Sequence, residues 1–80
     1  MNSSIRPTHS RAASIVEARI LAPTIGAPLR RAGGLTLADV GRHCGCRRQS
    51  VWAWEMGIAK PAGQRAIKYL GLLRELESLL

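Results

Sequence analysis

Acidic residues are scarce in this chain. Five Asp and Glu stand against twelve Lys and Arg, a formal net charge of +7. That balance points to a polyanionic partner, although a basic surface that is merely solvated gives the same total. Cysteine is also scarce: Cys44 and Cys46 are the only two. They sit two positions apart, too close for a bridge that closes a useful loop, so the expected compartment is a reducing cytoplasm. No apolar run approaches the roughly 18–20 residues that a membrane span needs. The stretch from Ile20 to Leu29 is interrupted by Pro23 and Pro28 and makes a poor signal peptide. No membrane partner is expected. Strand signals are missing too, because Gly and Pro break the chain too often. There is no Ser–His–Asp grouping, no paired carboxylates and no phosphate-binding glycine loop, so the chain does not read as an enzyme. Neither a metal nor a cofactor is expected.

What remains is 80 residues, 46% of them hydrophobic. That is too apolar for a disordered tail and long enough for one small domain. Such a chain buries roughly 60–65% of its unfolded surface, so its core is thin. Ten of the twelve cations are Arg, which forks onto phosphates and guanine edges better than Lys does. The whole charge excess lies in residues 1–65. Residues 66–80 are neutral, with Lys68 and Arg74 balancing Glu75 and Glu77.

Along the chain, residues 1–9 read as a flexible N-terminal arm, with Arg6 inside it and Arg11 just beyond, and residues 10–80 as a single domain. Ser10 is a good N-cap for a helix over 11–21, ended by Pro23. Thr24 to Pro28 reads as turn-rich. A short helix over 27–32 follows, stopped by Gly33-Gly34. Thr36 and Asp39 form a capping-box-like start. Leu37, Val40, Gly41 and Cys44 then share one helical face, and Gly45 ends that helix. Arg47 to Met56 is again helical, closed by Gly57. Lys60-Pro61-Ala62-Gly63 is a loop before a Leu-rich helix over 64–80. The fold class is therefore all-α, about five short helices.

Two short helices around a tight Gly-containing turn, on a basic chain, suggest a helix-turn-helix. On a 100°-per-residue wheel, Val51 and Trp54 share one side of the second helix. Arg48, Gln49, Trp52, Ala53 and Met56 fall on the opposite arc. Arg can bond guanine O6 and N7, Gln can bond adenine N6 and N7, and apolar atoms can touch the thymine methyl. The competing readings are a solvated face for Arg48 and Gln49 and burial at a subunit or helix contact for Trp52.

Residues 35–61, running Leu35-Thr36-Leu37-Ala38-Asp39-Val40-Gly41-Arg42-His43-Cys44-Gly45-Cys46 through Val51-Trp52-Ala53-Trp54-Glu55-Met56-Gly57 to Lys60-Pro61, resemble the core of the lambda-repressor/Cro-like (XRE-type) helix-turn-helix family. The Trp-Glu-x-Gly ending followed by Lys-Pro is the most specific part. The resemblance implies a lambda-repressor-like DNA-binding domain. It implies base readout by Arg48 and Gln49, with help from Trp52 and Ala53. Arg47 and Ser50 are better placed for phosphate, joined by Arg42 and Lys60. It also implies a structural ion pair between Glu55 and Arg30, the alternative being an exposed Glu55 with no partner. The chain departs from the family in three places. Leu37 stands where a DNA-touching Gln is common, Gly41 where Ala is usual, and Arg47 where the turn usually has Ser. Residues 10–23 have no counterpart.

His43, Cys44 and Cys46 do not have the ligand spacing of structural zinc, and both cysteines stand where the family has small apolar core residues. In the last helix, Leu72, Leu73, Leu76, Leu79 and Leu80, with Tyr69, Ala66 and Leu70, cover about half the circumference. This is more than one small core requires. The expectation is a homodimer through Leu73, Leu76 and Leu80, with residues 11–21 as the alternative surface, and Ile67 and Leu70 facing the chain's own core. The expected function is a sequence-specific transcriptional regulator of bacterial, plasmid or phage type. It would be a repressor that binds a palindromic operator by occupancy, with no small-molecule effector. An antitoxin-like protein-interaction module with secondary DNA binding is the alternative.

Overall fold

A computed structural model describes residues 10–80. The arm expected over residues 1–9 lies outside the described residues. Every regular element among the described residues is helical: α1 (Arg11–Leu21), a π-helical turn (Ala22–Gly26), α2 (Ala27–Ala32), α3 (Leu37–Cys44), α4 (Arg48–Glu55) and α5 (Gly63–Leu79).

α1 starts as its sequence dictates. The Ser10 hydroxyl oxygen accepts a hydrogen bond from the Ala13 amide at 2.9 Å, which satisfies one of the free first-turn donors. Its end corrects the sequence reading. Pro23 does not stop the helix, and Thr24 to Pro28 is not a loop. The chain widens into a π turn and continues directly into α2. Proline removes a donor and crowds the carbonyl one turn back, and a wider turn relieves that crowding. Thr24 helps, since its hydroxyl donates to the Leu21 carbonyl at 3.0 Å. The five short helices expected are thus four helical bodies among the described residues, because α1, the π turn and α2 form one rod.

α3 has the capping box read from its sequence. The Thr36 hydroxyl accepts from the Asp39 amide at 3.0 Å, and the Asp39 carboxylate accepts from the Thr36 amide at 2.8 Å. These bonds hold the Asp39 carboxyl below its ordinary value, with the backbone amide as the larger cause and the Thr36 side chain next. Gly45 closes α3 with φ 81° and ψ 34°, a left-handed conformation that glycine adopts without a Cβ penalty. Its amide and that of Cys46 both donate to the Gly41 carbonyl at 2.8 Å.

α5 carries the core. Tyr69, Leu72, Leu73 and Leu76 pack with Ala22, Val40, Cys44, Val51 and Trp54 in one cluster. Ala66 and Leu70 pack with Ala18 in a second, flanked by Ile15 and Leu21. Leu70 faces the core as expected, and Ile67 is half-buried. The dimer surface is corrected. Leu73 and Leu76, expected at a subunit contact, are 2% and 6% exposed inside the chain itself. The wide apolar arc of α5 is real, but it is covered by two layers of the same molecule: the α1–π–α2 rod on one side and α3–α4 on the other. Leu80, the third residue of that expectation, remains exposed beside Leu79. No helix among the described residues is long and apolar enough to cross a membrane.

Candidate nucleic-acid interface

α3 and α4 are joined by a three-residue turn, Gly45 to Arg47. Their close approach depends on Gly41. A Cβ at that position would lie 2.6 Å from the Cys46 carbonyl oxygen and 3.2 Å from the Arg47 carbonyl carbon. Only a bare backbone lets α3 lie against the turn that launches α4. The thiols on either side of Gly45 are free, Cys44 buried and Cys46 half-buried, and burial pushes Cys44 up to about 11 and raises Cys46 as well. Neither is ionised near neutral pH, and a neutral thiol is a poor nucleophile and metal ligand. Among the described residues no three His, Cys, Asp or Glu side chains converge.

α4 has two faces. Val51 and Trp54 are buried, and the Trp54 ring lies 5.0 Å from that of Tyr69 at 55°. On the other side Arg48 and Gln49 are exposed, Trp52 is 47% exposed and Met56 is exposed. Ala53, expected on the same arc, is half-buried. Its carbonyl accepts from the Ile58 amide at 2.9 Å in the turn that closes the helix. Leu37, Arg48, Gln49 and Trp52 line a cleft of about 230 Å³. Leu37 therefore forms an apolar wall beside the outward face of α4.

The Glu55–Arg30 pair is present. Arg30 Nε donates to Glu55 Oε2 at 2.6 Å and Arg30 Nη2 to Glu55 Oε1 at 3.1 Å, a bidentate fork. Arg30 Nη1 also donates to the Leu35 carbonyl at 3.1 Å. The two side chains are 12% and 5% exposed. The Glu55 hydrogen bond raises Arg30 above its ordinary value. Tyr69 lies beside this pair with its hydroxyl buried and no hydrogen-bond partner. Burial, then the charge of Glu55, pushes that hydroxyl well up. A Cβ at Gly26 would fall onto the Tyr69 oxygen, so the π turn packs tightly against it.

The residues expected at phosphates are partly gathered. Arg42, Arg47 and Ser50 line one open hollow of about 460 Å³ together with Arg65. Arg42 also forms an exposed ion pair with Asp39. Lys60 is exposed in the loop after α4 and does not line the hollow. Arg65 is the site residue that the sequence does not single out. Its position in the first turn of α5 is readable, but its nearness to Gly41 and Gly45 comes from tertiary packing, which no periodicity carries. Other cations are tied into the fold. Arg19 donates to the Pro61 carbonyl at 3.0 Å, Arg11 donates to Gln64 at 3.0 Å, and Arg74 pairs with Glu17.

Comparison of the chain with protein-family models, with curated proteins and with solved structures finds no match.

Proposed function

We propose that this chain is a non-catalytic, sequence-specific double-stranded-DNA-binding regulator that lays α4 in the major groove. The observation that carries the reading is the two-faced α4. Val51 and Trp54 anchor it, while Arg48, Gln49 and Trp52 stand outward on a helix launched by the Gly45 turn. A helix crossing the major groove reads bases with residues near its N-terminus, and Arg48 and Gln49 are the first two residues of α4. Arg reads guanine and Gln reads adenine in bidentate fashion, and the Leu37–Trp52 cleft offers apolar atoms to a thymine methyl. Arg47, Ser50 and Arg42 would meet phosphates beside them, with Lys60 adding charge from the loop after α4. Repression by occupancy of a palindromic operator in a bacterial cytoplasm belongs to the same proposal. Its dimer surface moves from α5 to the exposed Val16 and Ile20 of α1, four residues apart on one helical face.

The test is selection from random-sequence duplexes with the purified chain, followed by affinity measurements on the selected site. Arg48→Ala and Gln49→Ala should each lose ~1–3 kcal/mol and relax the preference at one base pair. Arg47→Ala should weaken all sequences about equally. Recovery of no common sequence, with co-purification of an unrelated polypeptide, would instead favour a protein-interaction module.

A further inference from the structure

The hollow beside the helix-turn-helix holds an unusual set of side chains. Arg42 comes from α3, Arg47 from the turn, Ser50 from α4 and Arg65 from α5, around a floor of Gly41, Gly45 and Cys46. No carboxylate is among its lining residues. Three guanidiniums from three parts of the chain line one hollow, and of these only Arg42 has an ion-pair partner among the described residues, the half-buried Asp39. α4 begins at the wall of the hollow with no side-chain acceptor at its N-cap and no acid in its first turn. Its leading amides therefore lack the usual side-chain partner. The one hydroxyl in the lining, on Ser50, is a further donor.

We infer that this hollow is a seat for a phosphate group, held by Arg47 and Arg65 with Ser50 and Arg42 completing the donor set. Guanidinium forks fit phosphate oxygens, and an anion offsets the like charge of the arginines gathered there. A carboxylate offers two acceptor oxygens in one plane, fewer than the three non-bridging oxygens a phosphate monoester presents to several donors. For its source the inference rests on the DNA reading: a backbone phosphodiester flanking the groove that receives α4. A free phosphate ester would use the same donors. Either way the first turn of α5 joins the binding surface, and Arg65 is a contact residue rather than a solvated one.

The experiment uses the full chain and two probes. In the first, inorganic phosphate is titrated at constant ionic strength while backbone amide shifts are followed. Saturable shifts confined to Gly45, Cys46, Ser50 and Arg65 are expected, and Arg65→Gln should abolish them. In the second, a random-sequence 20-base-pair duplex is bound across a salt series. Arg65→Gln should flatten the negative slope of log Kobs against log[salt] by about 0.9. Arg31→Gln, an exposed arginine on α2 away from the hollow, should leave both probes unchanged. Phosphate shifts without duplex binding by the wild type would uphold the seat, assign it to a free phosphate ester and remove the DNA reading. Duplex binding with an unchanged Arg65→Gln slope and no phosphate shifts would keep the DNA reading and overturn this inference.

Discussion

The fork between Arg30 and Glu55 joins residues 25 apart in sequence and fastens the rod to the end of α4. Both side chains are almost out of water, so removing one strands the other. Such a loss typically costs ~3–5 kcal/mol. Glu55→Ala and Arg30→Ala should each lower the urea unfolding midpoint, and the double variant should lose much less than their sum. Strict additivity would show that the two groups do not act together. The Asp39 carboxyl makes a pH-dependent contribution of the opposite kind to a buried base. Its folded value lies below the ordinary 3.8, so its bonds to Thr36 stabilise the fold above that pH. They are lost as the pH falls through the folded value. Acid unfolding monitored by circular dichroism should show Asp39→Asn less stable than the wild type near neutrality, with the difference shrinking as the pH drops below 3.8. The capping box was legible from two letters three apart. The Arg30–Glu55 pair was legible only through family resemblance, since no local spacing links residues so far apart.

Among the elements, α3 and α4 show how a glycine acts by what it omits. Intrinsic propensity alone says Gly41→Ala should strengthen α3 by up to ~1 kcal/mol. The added Cβ would meet the Cys46 carbonyl oxygen at 2.6 Å, and that oxygen belongs to backbone, which cannot swing aside as a flexible side-chain end would. Overpacking of this kind costs typically ~1–3 kcal/mol, so the clash wins and Gly41→Ala is expected to lower the unfolding midpoint. An unchanged or raised midpoint would mean the turn relaxes freely. The starts of α1 and α3, the stop of α3 at Gly45 and the two faces of α4, Ala53 apart, were readable from periodicity and caps. The joint at Pro23 was not, because a proline that breaks a helix and one that widens it leave the same letters. Here the wider turn comes with Thr24 bonding the Leu21 carbonyl and with Gly26 packed close against Tyr69, contacts that no local spacing announces.

For the whole molecule, charge and apolar surface are sorted by where the rod lies. Arg11, Arg19 and Arg74 fasten α1 to α5 and its preceding loop, while Arg47, Arg48 and Arg65 are exposed around α4. The apolar arc of α5 is wider than one layer needs, but reading its surplus as a dimer surface was wrong for Leu73 and Leu76, which the chain itself buries. Its second cover is the rod, which a wheel drawn for a single helix cannot show. The exposed Val16 and Ile20 therefore carry the self-association prediction. Sedimentation at micromolar concentration should give a dimer for the wild type and a monomer for Ile20→Arg, with folding retained because Ile20 is 61% exposed. A monomeric wild type would overturn the dimer, and an Ile20→Arg protein that still dimerises would move its interface off α1. The π turn in that rod also behaves as a phase setting. Successive residues of an α-helix are rotated by about 100°, and the wider turn accommodates extra chain before α2 begins. Trimming one residue between Ala22 and Gly26 would restore a plain helix and leave everything beyond it near its present phase, because the wide turn has taken up about one residue. Arg30 would still meet Glu55, and Leu29 would still pack on the core. The π turn is thus one residue of slack, which lets the rod shorten there without parting its fastenings.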